Sequence, residues 1–62
     1  MIVWEIHYQI LGVPGESVYH KKFHCKSVAR RIAMQLFDDN ARFKWWLVGT
    51  PLFGGDKIVE NG

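Results

Sequence analysis

The sequence predicts an α+β fold: a small antiparallel sheet in β-β-α-β order, with one amphipathic helix packed on one face. Three observations carry that expectation. Residues 2–11 alternate between an apolar row and a mixed row, residues 18–25 repeat the alternation after a turn, and residues 28–39 carry an apolar stripe of helical period. All 62 residues form a single domain.

The first strand places Ile2, Trp4, Ile6, Tyr8 and Ile10 on one side and Val3, Glu5, His7, Gln9 and Leu11 on the other. In "GVPGES" the pair Pro14-Gly15 suits the centre of a type II turn, where glycine takes a positive φ. The segment "VYHKKFHC" then returns as a second strand. With residues 13–16 as the loop, Ile10 faces Tyr19, Ile6 faces Phe23 and Trp4 faces Cys25. On the opposite side Gln9 meets His20, His7 meets Lys22 and Glu5 meets His24. Apolar groups meet apolar groups and polar groups meet polar ones in this register, apart from Lys21 opposite Tyr8, and Cys25 is expected to be a buried, unreactive thiol.

Ser27 is the expected N-cap of the helix. After it Ala29, Ile32, Ala33, Leu36 and Phe37 fall on one stripe that runs to about Asp39, and Asn40 suits a left-handed C-cap. The third strand is expected over residues 43–48. "GTPL" then breaks the pattern, leaving residues 49–62 as a short fourth strand or a loose tail. The economical arrangement lays the third strand beside the first and leaves the sheet's second face open to solvent.

That open face gives meaning to "FKWWLVG". Successive strand residues point to opposite faces, so only one of Trp45 and Trp46 can serve the core. Trp45 travels with Phe43 and Leu47, the more apolar set, and should meet the helix. Trp46 should then stand on the open face with His7, Gln9, His20, Lys22 and Lys44. In the alternative, Leu52, Phe53, Ile58 and Val59 fold over the outward tryptophan and cover it.

Composition narrows the function. The chain is 48% hydrophobic and 15% aromatic, enough for a core, but a catalytic pocket would consume most of it. No nucleophile triad, paired-carboxylate pocket or phosphate loop is present, so no catalytic residue and no cofactor is expected. No metal site is expected either: His20 and His24 lie too far apart along a strand to share an ion easily with His7 and Glu5. One cysteine and no apolar run of spanning length point to a cytoplasmic protein without a membrane partner. The net charge of +2 is modest for a nucleic-acid binder.

The helix charges run against its dipole, with Lys26, Arg30 and Arg31 at the N-terminal end and Asp38 and Asp39 at the C-terminal end. Cations beside free backbone N–H groups suit a phosphate or an acidic protein surface. The candidate partner-binding set is therefore Trp46, Lys44, Lys22, His20, His7, Lys26, Arg30 and Arg31.

The layout "YHKKFHCKSVARRIAMQLF" followed by "FKWWLV" resembles small phage-encoded host-takeover proteins, among them RNA polymerase inhibitors and compact anti-CRISPR proteins. The likeness spans nearly the whole chain and lies in size and topology: a hairpin, one helix and a return strand. It implies a non-enzymatic inhibitor that binds a host or defence nucleoprotein complex. "KSVARRIA" is also similar to the last helix of double-stranded RNA-binding domains, although here a strand follows it. The alternative function is a nucleic-acid-binding module, with the same cations on phosphates and Trp46 stacking on a base.

Overall fold

The structure, a computed structural model, describes residues 1–37 and 41–61. Its elements are β1 (Ile2–Ile10), β2 (Ser17–Phe23), α1 (Lys26–Phe37), β3 (Phe43–Pro51) and β4 (Ile58–Asn61). They make a four-stranded antiparallel sheet in the order β2-β1-β3-β4, with α1 across one face. The α+β architecture expected from the alternation and the helical stripe is the one observed. The expected C-cap Asn40 and the acidic pair Asp38 and Asp39 lie outside the described residues.

β1 and β3 pair along their full length, Ile2 with Pro51 through Ile10 with Phe43. This register puts Ile2, Trp4, Ile6 and Tyr8 on the helix face with Trp45, Leu47 and Gly49. Ile6 and Leu47 sit opposite one another with no exposed surface, at the centre of the core.

The first hairpin departs from the expected register. Trp4 pairs with Phe23 and Glu5 with Lys22, two positions from the expected partners; beyond an irregularity, His7 pairs with Val18 and Tyr8 with Ser17. The turn explains the slip. The chain reverses at Leu11-Gly12, where the Val13 N–H donates to the Ile10 carbonyl (3.0 Å) and Gly12 takes φ 86°. The connection is therefore longer than a four-residue loop at 13–16. Because the slip is even at every paired position, the paired side chains keep their faces. Phe23 and Tyr19 still reach the helix side, and Lys22 still shares the open side with Glu5.

The helix starts earlier than expected and is rotated. Lys26 is its first residue and Cys25, rather than Ser27, is the N-cap: the Ala29 N–H donates to the Cys25 carbonyl at 3.1 Å. β2 has ended at Phe23, so Cys25 is exposed rather than buried opposite Trp4. Ala29, Ala33 and Phe37, spaced four apart, are the buried centre of the helix face. Ile32 flanks them half-buried, whereas Leu36 is 45% exposed and is not core. The two alanines bring the backbone close to the sheet. Phe37 fills the wider gap beyond them, with its ring 4.9 Å from Tyr8 and 5.0 Å from Phe43.

β3 does not stop at Val48 but continues through Gly49 to Pro51. Residues 58–61 then form β4 against it, pairing Asn61 with Trp46 and Ile58 with Gly49. The C-terminal segment thus extends the sheet sideways and does not fold over its open face.

Candidate functional site

Across the open face the pairings set side chains in rows. One row runs Lys22, Glu5, Val48, Val59; the next runs Val18, His7, Trp46, Asn61; Gln9 and Lys44 stand side by side beyond it. Trp46 lies near the middle of this surface, half-buried, with its ring centroid 6.1 Å from that of His7. Phe53, which could have covered it, is 92% exposed in the β3–β4 loop. Val48, within the first of these rows, is only 6% exposed.

His7 Nε2 is buried without a hydrogen-bond partner, 3.8 Å from Glu5 Oε1. Glu5 itself lies beside Lys22 on β2. The surface is therefore an aromatic pair with Lys44 to one side and a Lys22/Glu5 pair to the other.

Trp45 is on the opposite face, half-buried against the core, as expected from its company with Phe43 and Leu47. The two tryptophans thus divide the labour that their adjacency demands.

The candidate set of eight is not one surface. Trp46, His7, Lys22 and Lys44 share the open face, whereas Lys26, Arg30 and Arg31 are on the helix that covers the other side. His20 lies in the irregular part of β2, exposed, with its ring 4.5 Å from that of Tyr19. A regular strand would point these neighbours apart, so the irregularity draws His20 out of the open-face row. The β1–β2 ladder ends at Tyr8 and Ser17, and Gln9 does not meet His20.

The cations at the helix start have partners inside the chain. Lys26 Nζ donates to Glu60 Oε1 at 3.1 Å and lies 3.1 Å from Oε2, while Arg30 is 4.0 Å from the same carboxylate. Lys26 also sits 5.7 Å from the Trp4 ring centroid, and Arg30 sits 6.0 Å from that of Trp45. Their hydrocarbon stems and charged heads roof the tryptophan end of the core. Glu60 comes from the end of the chain, 34 residues from Lys26. Nothing local in the sequence signals that pairing. Glu60 compensates the unfavourable charge of Lys26 and Arg30 at the helix start, and Arg31 is exposed there.

Cys25 is the second feature that the strand pattern concealed. Its Sγ is 3.0 Å from Ser27 Oγ. That hydrogen bond, those from the Val28 and Ser27 backbone N–H groups, and the nearby Arg31 charge together hold the thiol below its usual range. The sulfur occupies the position of an N-cap side chain, accepting from the second and third helical N–H groups. Alkylation by iodoacetamide should therefore reach half its maximal rate at a lower pH in the folded protein than in the urea-unfolded chain. Ser27→Ala should raise that midpoint. Equal midpoints for folded and unfolded chains would show that the cap does not stabilise the thiolate.

Among the described residues no group of three or more His, Cys, Asp or Glu side chains is placed to hold a metal ion. No described helix is long and apolar enough to cross a membrane. Compared with known proteins, the chain matches no family model, no curated protein and no solved structure.

Proposed function

We propose that this chain is a non-enzymatic binding module that acts by occupying a partner protein through its open sheet face. The carrying observation is Trp46, half-buried beside His7 on the two central strands, on a face that β4 extends at the edge rather than covers. Tryptophan on a rigid, partly apolar platform is the side chain most often responsible for a large share of binding energy. Lys44 and Lys22 flank it, so the complementary surface is acidic with an apolar recess for the indole. The size and layout favour an inhibitor from a phage or mobile element, acting in the cytoplasm on a host or defence nucleoprotein complex. The helix start contributes less than its charge suggests, because Glu60 already engages Lys26 and Arg30.

One observation favours a second reading, a nucleic-acid-binding module. An aromatic pair on adjacent central strands, with a lysine on either side, is a stacking platform with phosphate contacts. Only Lys22 and Lys44 of the expected cations share the face with Trp46, and Glu5 opposes them, which supports protein as the partner.

Immobilised wild type and Trp46→Ala, exposed to nuclease-treated host lysate, decide between these. A protein retained by wild type at moderate salt and lost with Trp46→Ala supports the proposal. The substitution should remove about 2 kcal/mol or more of binding while leaving the melting transition nearly in place. Retention that disappears with nuclease, and falls steeply with salt, transfers the function to nucleic acid.

A further inference from the structure

We propose that the β2 side of the helix layer is a second docking surface, and that it takes a short acidic amphipathic helix from a partner protein. A helix is about 10 Å across and strands lie about 4.8 Å apart, so one helix covers roughly two strands. In this four-stranded sheet the covered pair is β1 and β3, whose Ile6 and Leu47 have no exposed surface. The β4 side of the helix is closed by charges: Lys26 and Arg30 reach Glu60, and Arg30 lies over Trp45. The β2 side is finished differently. Positions 28, 32 and 36 lie about 160–240° around the helix from position 30, so Val28, Ile32 and Leu36 form the flank toward β2. Val28 and Ile32 are half-buried, and Leu36 is 45% exposed. From β2, Tyr19 and Phe23 reach the same side of the sheet, also half-buried, with parallel rings 6.5 Å apart. The helix flank thus rises beside an aromatic shelf, and both walls of the step are apolar.

Shape and charge choose the occupant. A further strand is disfavoured at this edge, because the β2 ladder is irregular between Glu5 and His7 and the strand carries Lys21 and Lys22. A helix fits. Side chains four apart make the ridge that packs against a neighbouring helix, and a helix laid beside α1 sits over β2 and carries the layer to the sheet edge. From Val28 to Leu36 the ridge is about 12 Å long, which matches two to three turns of partner helix. The rim is cationic: Lys21 is exposed on the strand, and Arg31 is exposed next to Val28 around the helix. Glu16 precedes β2, at the end of that strand away from the helix start. Carboxylates on the incoming helix therefore belong beside Lys21 and Arg31. Two apolar walls with cations only at their margin distinguish this surface from a phosphate track, where cations run along the groove. The surface lies on the opposite side of the sheet from Trp46 and does not rest on it.

The probe is a stapled, fluorescein-labelled helical peptide of about three turns, with leucines on one face and glutamates elsewhere. Its twin carries lysines in place of the glutamates. By fluorescence anisotropy the glutamate peptide should bind wild type and the lysine twin should not. Leu36→Gln changes no charge, and it should weaken binding about tenfold or more with the melting transition nearly in place. Arg31→Gln should weaken binding as well, whereas Lys57→Gln, which removes the same charge on the β4 side, and Trp46→Ala should leave it unchanged. A second measurement holds should Leu36→Gln disturb the fold. In wild-type amide spectra the glutamate peptide should shift residues 19–23 and 28–36 and leave His7, Lys44 and Trp46 in place. Equal binding of the two peptides, binding of neither, or shifts centred on Trp46 overturns the proposal. So does displacement of the glutamate peptide by a DNA oligonucleotide of equal charge, which gives the surface to nucleic acid. A wild type that dimerises in sedimentation equilibrium, and is made monomeric by Leu36→Gln, overturns it in favour of a second copy.

Discussion

Phe37→Ala should cost about 3–5 kcal/mol, a loss comparable to the entire stability of a domain of this size. Phe37 is 7% exposed and its ring contacts those of both Tyr8 and Phe43, so truncation opens a cavity bordered by two aromatic rings. Its neighbour Leu36 makes the control. It is nearly half exposed, and Leu36→Ala should change stability by about 0.5 kcal/mol or less. Urea unfolding monitored by far-ultraviolet circular dichroism reads both variants. An unfolded Phe37→Ala beside a nearly unperturbed Leu36→Ala is the expected pair of results. Equal losses would mean that the helix presents its 32/36 flank to the sheet instead.

The same contrast shows what the sequence discloses and what it hides. Strand faces were legible because a period of two survives an even slip: the hairpin register moved, yet Trp4, Ile6 and Phe23 stayed on the core side. The register itself was hidden, because both Gly12 and Gly15 take positive φ and either could have marked the reversal. Helix phase was legible only to within a flank. Ala29 and Ala33 are the buried centre, but they contribute little apolar weight, so Leu36 drew the stripe toward itself. The outward role of Trp46 followed from its adjacency to Trp45. The engagement of Lys26 and Arg30 by Glu60 did not follow from anything local, since it depends on β4 adding to the sheet on the β3 side.

Trp4 and Gly49 form the second lock on the fold, and their substitutions should be strongly coupled. Gly49 stands opposite Trp4 on the helix face of β3. A Cβ at Gly49 would lie 2.8 Å from Trp4 Cζ3 and 2.9 Å from Trp4 Cη2, with Ile2 Cγ2 also at 2.9 Å. The glycine therefore marks no strand end, although in sequence it looks like a breaker. It makes the space into which the six-membered ring of the indole lies. Trp4 is 7% exposed with Lys26 above it, so the ring has little freedom to move aside. Gly49→Ala should consequently cost about 1–3 kcal/mol through overpacking. Trp4→Ala should cost about 3–5 kcal/mol through the cavity. Trp4→Phe removes the two indole atoms that the new methyl would strike while keeping an aromatic ring in the core. In that background Gly49→Ala should cost less, the remaining close contact being Ile2 Cγ2, offset by the entropic cost of about 0.5–1 kcal/mol that glycine carries within a strand. The double-mutant cycle should then show a coupling of about 1 kcal/mol or more. A Gly49→Ala cost that is the same with tryptophan or phenylalanine at position 4 would refute the account in which the indole demands the glycine, and would leave Ile2 Cγ2 as the group the methyl strikes.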